Sequence, residues 1–263
     1  MKLTKPPKIT SAIASSLVAI LLLINGCGKK ASDEKRSGVS KIEIPHPRVL
    51  KPIKIGLAEN FSILAYANIY SIPNSSIDGK VGLLPGTRGQ IILDPIEVKG
   101  GAQDILASDD EATSTIFLNN AIADMVTAYK EAVTITPDND KIGLYGGELS
   151  GKILATGCYK WSGDLVIKND FTIEGSDTDV WIFKISANFK VASDVHLTLR
   201  GGAKAQNIFW QVAGGAVLGS GSVMAGTIIA QQSVEMKNQS LLTGRVFAKN
   251  GYINLDQATI NKP

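Results

Sequence analysis

From about residue 150 to residue 261 the chain is written in short apolar runs punctuated by glycine. In "DVHLTLRG", Val195, Leu197 and Leu199 alternate with His196, Thr198 and Arg200, the period of two that gives a strand one buried and one open face. "YINLDQATI" repeats the alternation through Ile253 and Leu255. "DVWIFKI" and "NIFWQV" are continuously apolar and predict strands covered on both sides. An apolar–x–Gly tripeptide recurs at Ile77-Asp78-Gly79, Leu149-Ser150-Gly151, Ile173-Glu174-Gly175, Leu199-Arg200-Gly201, Met224-Ala225-Gly226 and Leu242-Thr243-Gly244. From Gly151 onward the glycines are 24, 26, 25 and 18 residues apart, the period of a solenoid with one coil per repeat. Glycine suits the corners of such coils because it reaches positive φ without steric cost.

One segment changes period. Leu118, Ile122, Met125, Tyr129 and Ala132 fall at helical spacing. Ser108 followed by Asp109, Asp110 and Glu111 reads as a capped start, and Pro137 as a stop, so a helix is expected over about 109–133. Its apolar stripe requires a partner, and the side of the solenoid is the available one.

The first fifty residues have another character. Lys2, Lys5 and Lys8 precede an uncharged stretch from Ile9 to Gly28, the pattern of a secretory signal, with a retained membrane helix as the competing reading. "LINGC" resembles a bacterial lipobox, which implies cleavage after residue 26 and acylation, including palmitate, at Cys27. The expected organisation is a signal peptide over 1–26, a charged, proline-containing tether over 27–50 and a single domain over 51–263. The expected location is outside the cytoplasm, lipid-anchored to the envelope at an outer membrane or cell surface.

The three leader lysines account for the whole formal charge of +3. A neutral remainder gives no electrostatic reason to bind nucleic acid. With Cys27 acylated, Cys158 has no disulfide partner and reads as a small buried hydrophobe. The two histidines, His46 and His196, lack the neighbours of a metal site, and Asp177 and Asp179 read as turn residues. No carboxylate pair stands out for glycan cleavage. Neither enzyme chemistry, nor a metal, nor a cofactor is expected.

Taken in order, "FSILAYANIYSIPNSSIDGKVGLLPG", "AIADMVTAYKEA", "GCYKWSGDLVI", "DVWIFKI", "LRGGAKAQNIFWQV", "GSVMAGTIIA" and "LLTGRVFAKNGYINLD" resemble the ice-binding-like family from about Ile55 to the end of the chain. The resemblance implies an all-β fold: an irregular right-handed β-solenoid of triangular cross-section, with one long flanking α-helix. It also implies adsorption to an ice crystal surface through one flat face, which inhibits crystal growth or recrystallisation or attaches the cell to ice. Strands stacked at about 4.7–4.9 Å present a repeat near that of oxygen positions in ice. Small hydroxyl and methyl groups preserve such a surface, whereas long charged side chains disturb it. The face expected here is a column built from Ser75, Ser222 and Ser240, each four residues before a corner glycine, with Ser220 and Asn238 beside it. The alternative is a cell-surface adhesion module for a surface glycan, for which Trp161, at a turn, is the candidate exposed platform.

Overall fold

The computed structural model describes residues 49–263. The expected signal peptide over 1–26, Cys27 and most of the expected tether lie outside the described residues. The described part is a β-solenoid, with strands on three sides of each coil and every strand pairing parallel. One coil runs from Trp181–Ile185 on the first side to Phe189–Val191 on the second and Leu197–Arg200 on the third. In later coils the third-side strand continues without a break into the next first-side strand, giving the eight-residue strands Val223–Ala230 and Leu241–Ala248.

Stacking order differs from chain order. The N-terminal coils begin with Phe61–Ala65, Ile69–Ile72 and Ser76–Ile77. The helix, Ala112–Thr134, then follows, and the chain starts winding again at Gly157–Trp161. The final C-terminal coil docks on the first N-terminal one: Ile63 pairs with Val246, Ile69 with Ile253, and Ser76 with Thr259. The terminal coils thus cover each other's strand edges, which would otherwise present unpaired backbone.

Two apolar clusters hold this together. One fills the lumen and contains a ladder of aromatic rings. Tyr159 stacks on Phe183 at 5.1 Å, Phe183 on Trp210 at 4.0 Å, and Trp210 on Phe189 at 4.7 Å. The other lies between the helix and the outer side of the first sheet. There Leu118, Ala121, Met125, Ala128 and Ala132 meet Leu64, Phe247, Ile229, Phe209, Ile182 and Cys158. Trp181–Ile185 and Ile208–Val212 are accordingly buried along their whole length, as their continuous apolarity predicts.

The helix begins at Ala112, three residues later than its acidic start suggests, and Ser108 does not cap it. Arg88 claims the acids instead. Its backbone N–H donates to Asp109 at 2.7 Å, and its guanidinium donates to Asp110 at 2.7–2.9 Å. At the other end Lys184, buried in the first sheet, donates from Nζ to the Val133 carbonyl at 2.7 Å and the Ile135 carbonyl at 2.6 Å. A cation at the last carbonyls complements the helix dipole and satisfies acceptors that the helix itself leaves open. Lys184→Met keeps the volume and strips those acceptors of their donor. It is expected to cost about 2 kcal/mol in urea unfolding and to speed amide exchange in the last helical turn.

Four of the six recurring glycines, Gly79, Gly151, Gly201 and Gly226, adopt positive φ. Gly175 and Gly244 do not, and close approach explains them instead. A Cβ on Gly175 would sit 2.8 Å from the Trp181 ring, and one on Gly244 would overlap the carbonyl oxygen of Gly226. The corner between the second and third sides is a stack of left-handed residues of which only one is glycine: Asp194, Gly221, Gln239, Gln257 and Asn74.

Candidate functional site

The serine column exists as a stack but faces inward. Ser222, Ser240, Ala258 and Ser75 immediately precede the paired residues Val223, Leu241, Thr259 and Ser76. Period two puts Ser222 on the same side as Met224, and Ser240 on the same side as Leu242, toward the lumen. Ser222 and Ser240 are 0 % exposed and Ser75 is 6 % exposed, so none of the three can touch an external surface. The expected serine face of Ser75, Ser222 and Ser240 is therefore not an outer face: all three stand four residues before a corner glycine, but strand parity turns them into the lumen. Ser75 is held inside by its partners: its hydroxyl accepts from Ser71 Oγ at 2.9 Å, and its backbone N–H donates to Glu97 Oε1 at 2.6 Å.

The hydroxyls of Ser222 and Ser240 have no hydrogen-bond partner among the described residues. A buried unsatisfied hydroxyl carries its desolvation cost without return, so Ser240→Ala is expected to stabilise the fold by about 1 kcal/mol in urea unfolding.

Ser220 and Asn238 are partly exposed at the corner between the second and third sides. The Ser220 carbonyl accepts from Asp194 N–H at 2.8 Å, and the Asn238 carbonyl accepts from Gly221 N–H at 2.9 Å. The Asn238 side chain donates to Gln257 Oε1 at 2.8 Å, so it ties the corner of its own coil to the next.

With most of the first side covered by the helix, the second and third remain open, and they differ in chemistry. The second is a seven-stranded sheet whose central outward column reads Val166, Lys190, Val217, Glu235, Asn254, Tyr70, Ile92. Its charges are knitted together. Lys237 Nζ donates to Glu235 at 2.5 Å, Tyr252 Oη donates to Glu235 at 3.0 Å, and Lys190 pairs with Asp164 at 3.3 Å. The Lys237 hydrogen bond holds the Glu235 carboxyl below its ordinary value and raises the Lys237 ammonium in turn.

The third side is quieter. Ile153, Thr172 and Thr198 are in register. A bridge from His196 to Val223 brings Thr198 level with Ala225, which pairs with Thr243 and through it with Asn261. A second column runs His196, Val223, Leu241, Thr259, Ser76. From Val223 onward these two columns carry the hydroxyls of Thr243, Thr259 and Ser76, the aliphatic Val223 and Leu241, the amide of Asn261 and the buried Ala225, with no lysine, arginine or carboxylate in them. The charges, Glu174 and Arg200, stand in a flanking column of the earlier coils. Thr198 was visible in the sequence as an open-face residue of its strand. The rest of the column depends on register between coils.

Trp161, the candidate exposed platform, is 3 % exposed. All three indole N–H groups are spent internally. Trp161 donates to the Leu144 carbonyl at 3.1 Å, Trp181 to Leu154 at 3.1 Å and Trp210 to Ala225 at 2.9 Å. Among the described residues no group of three His, Cys, Asp or Glu is placed to hold a metal ion, and no helix is long and apolar enough to cross a membrane.

The described residues form a stacked-coil scaffold with one largely helix-covered side and two broad open sides. The chain matches the family model described as ice-binding-like over residues 63–261, and it belongs to that family. It is 37% identical over 238 residues to an ice-binding protein of Flavobacterium frigoris (strain PS1), a match covering 89% of this chain and 83% of that one. It is 34% identical over 215 residues to an ice-binding protein of Colwellia sp, covering 80% and 84%. Among solved structures, a glycosylated ice-binding protein from an Arctic yeast superposes with a TM-score of 0.77 at 32% identity, covering 81% of this chain and 94% of that one. An ice-binding protein domain of Shewanella frigidimarina superposes at 0.73 with 25% identity, covering 82% and 99%.

Proposed function

We propose that this protein is a non-catalytic ice binder whose contact surface is the third side of the solenoid. The reading rests above all on Thr198 and Thr243, beside Val223, Leu241 and Thr259, which stand exposed or partly exposed in register along the third side, where a single bridge from His196 to Val223 joins the strand of Thr198 to the next coil. Parallel stacking fixes the spacing of these groups at about 4.7–4.9 Å. The packed lumen behind them prevents the sheet from buckling. Methyl groups with interspersed hydroxyls order water without offering a charge for it to solvate. The second side offers Lys190, Glu235 and Lys237 at the equivalent positions, and hydrated ion pairs there work against a continuous ice-like layer. Membership of a family whose relatives are named ice-binding proteins supports the same reading.

The lysines before the apolar run and the "LINGC" sequence support a lipid anchor at Cys27, and with it an envelope location outside the cytoplasm. An anchored ice binder holds the cell to ice or shields the envelope from crystal growth. Labelling cells with an alkyne-tagged fatty acid tests this part: label on the wild type and none on Cys27→Ala is the expected result.

The primary test of function is ice recrystallisation inhibition by the purified protein. Slowed coarsening of polycrystalline ice at micromolar protein is expected. A folded preparation that leaves coarsening unchanged rejects ice binding.

A further inference from the structure

On the outer side of the first sheet, beyond the reach of the helix, Thr227 and Arg245 are paired neighbours on adjacent strands. Both line a groove between residues 52–59 and the turn at 206–207. Arg245 Nε and Nη2 donate to the Glu59 carbonyl at 3.3 and 3.1 Å. A guanidinium has five N–H donors, so three remain, and among the described residues Arg245 pairs with no carboxylate. Burial pushes its guanidinium below the ordinary value, with the Glu59 charge acting in the opposite direction. Thr227 is 1 % exposed, and its hydroxyl is hydrogen-bonded to none of the described residues. A partly desolvated cation with spare donors and a nearly buried hydroxyl thus stand side by side at the groove, free to serve a ligand.

The remaining lining narrows the ligand. Lys54 and Arg245 stand in the lining beside Glu59, whose negative charge opposes a phosphate dianion more strongly than a monoanion. The planar fork of arginine matches a carboxylate. Phe209 supplies an apolar wall for a carbon skeleton and Gln206 a further polar group. We infer that the groove beside Arg245 and Thr227 is a binding site for a carboxylate carried on a small organic body, such as a uronic acid, free or at a polymer end. This site lies apart from the threonine-bearing side and is independent of ice binding.

Calorimetric titration of the full chain with sodium glucuronate, at constant ionic strength, tests it. Acetate reports the carboxylate alone, and glucose serves as the neutral control. Glucuronate is expected to bind and glucose not to. Arg245→Gln is expected to weaken glucuronate at least ~tenfold, and Thr227→Val to weaken it several-fold. Acetate binding that Arg245→Gln abolishes also supports the site and assigns recognition to the carboxylate alone. Absence of binding by both anions, equal binding of glucose, or undiminished binding by Arg245→Gln would overturn the assignment. Should Arg245→Gln fail to fold, Thr227→Val decides, and an unchanged affinity there overturns it equally.

Discussion

Gly244→Ala is expected to destabilise the fold by about 3 kcal/mol or more, and so to lower the melting temperature by roughly 6–12 °C for a domain of this size. The added methyl would overlap the carbonyl oxygen of Gly226, one coil below. That oxygen belongs to backbone, so no flexible side chain can swing aside. Nor can the strands separate locally, because Val223–Ala230 and Leu241–Ala248 are paired residue by residue along their whole length. Moving one coil strains the lumen packing of both. Gly163→Ala is the control. A Cβ there meets nothing within 4 Å and its φ is not positive, so its effect should stay within about 0.5 kcal/mol or be slightly stabilising. Thermal and urea unfolding followed by circular dichroism measure both. A Gly244→Ala protein as stable as wild type would show that the stacked corners have slack that the described geometry lacks.

The same glycines show what the sequence could and could not disclose. Their recurrence, and the alternation in "DVHLTLRG", were enough for a solenoid, because both signals are local: a corner and a pleat each involve a few neighbouring residues. His196 and Thr198 are exposed and Val195 and Leu197 are buried, as that alternation requires. The roles of individual glycines were not local. Gly244 is required by Gly226 on another coil, and nothing within its own strand announces that. The helix was legible from its stripe, yet its first turn was not, because Arg88 draws Asp109 and Asp110 out of a cap. The docking of the last coil on the first, through Ile63 and Val246, joins residues far apart in the chain, and no local pattern marks it. The inward turn of Ser222 and Ser240 was readable in principle from parity with Met224 and Leu242. Which outward residues form an uninterrupted column was not, since coils of unequal length slide the register from one strand to the next.

Thr243→Tyr is expected to raise the protein concentration needed for half-maximal recrystallisation inhibition at least ~tenfold, equivalent to about 1.4 kcal/mol of adsorption free energy. Thr243 is partly exposed at the middle of the third side, level with Ala225 below and Asn261 above. A phenol ring there stands proud of a surface otherwise made of short side chains. It lifts the flanking threonine and valine positions away from the crystal, so the loss exceeds that of one contact. The fold tolerates the change, because the position points outward and aromatic residues suit strands. Val217→Tyr is the matched variant on the second side. It places the same ring between Lys190 and Glu235 and is expected to leave inhibition within about twofold of wild type, about 0.4 kcal/mol or less. Ser240→Ala completes the set: its hydroxyl is in the lumen, so activity should be retained while stability rises. Loss of inhibition in Val217→Tyr with retention in Thr243→Tyr would move the contact to the second side despite its ion pairs. That outcome would mean the hydrated charges of Glu235 and Lys237 are accommodated at the crystal surface, and that flatness over seven strands outweighs the chemistry of individual side chains.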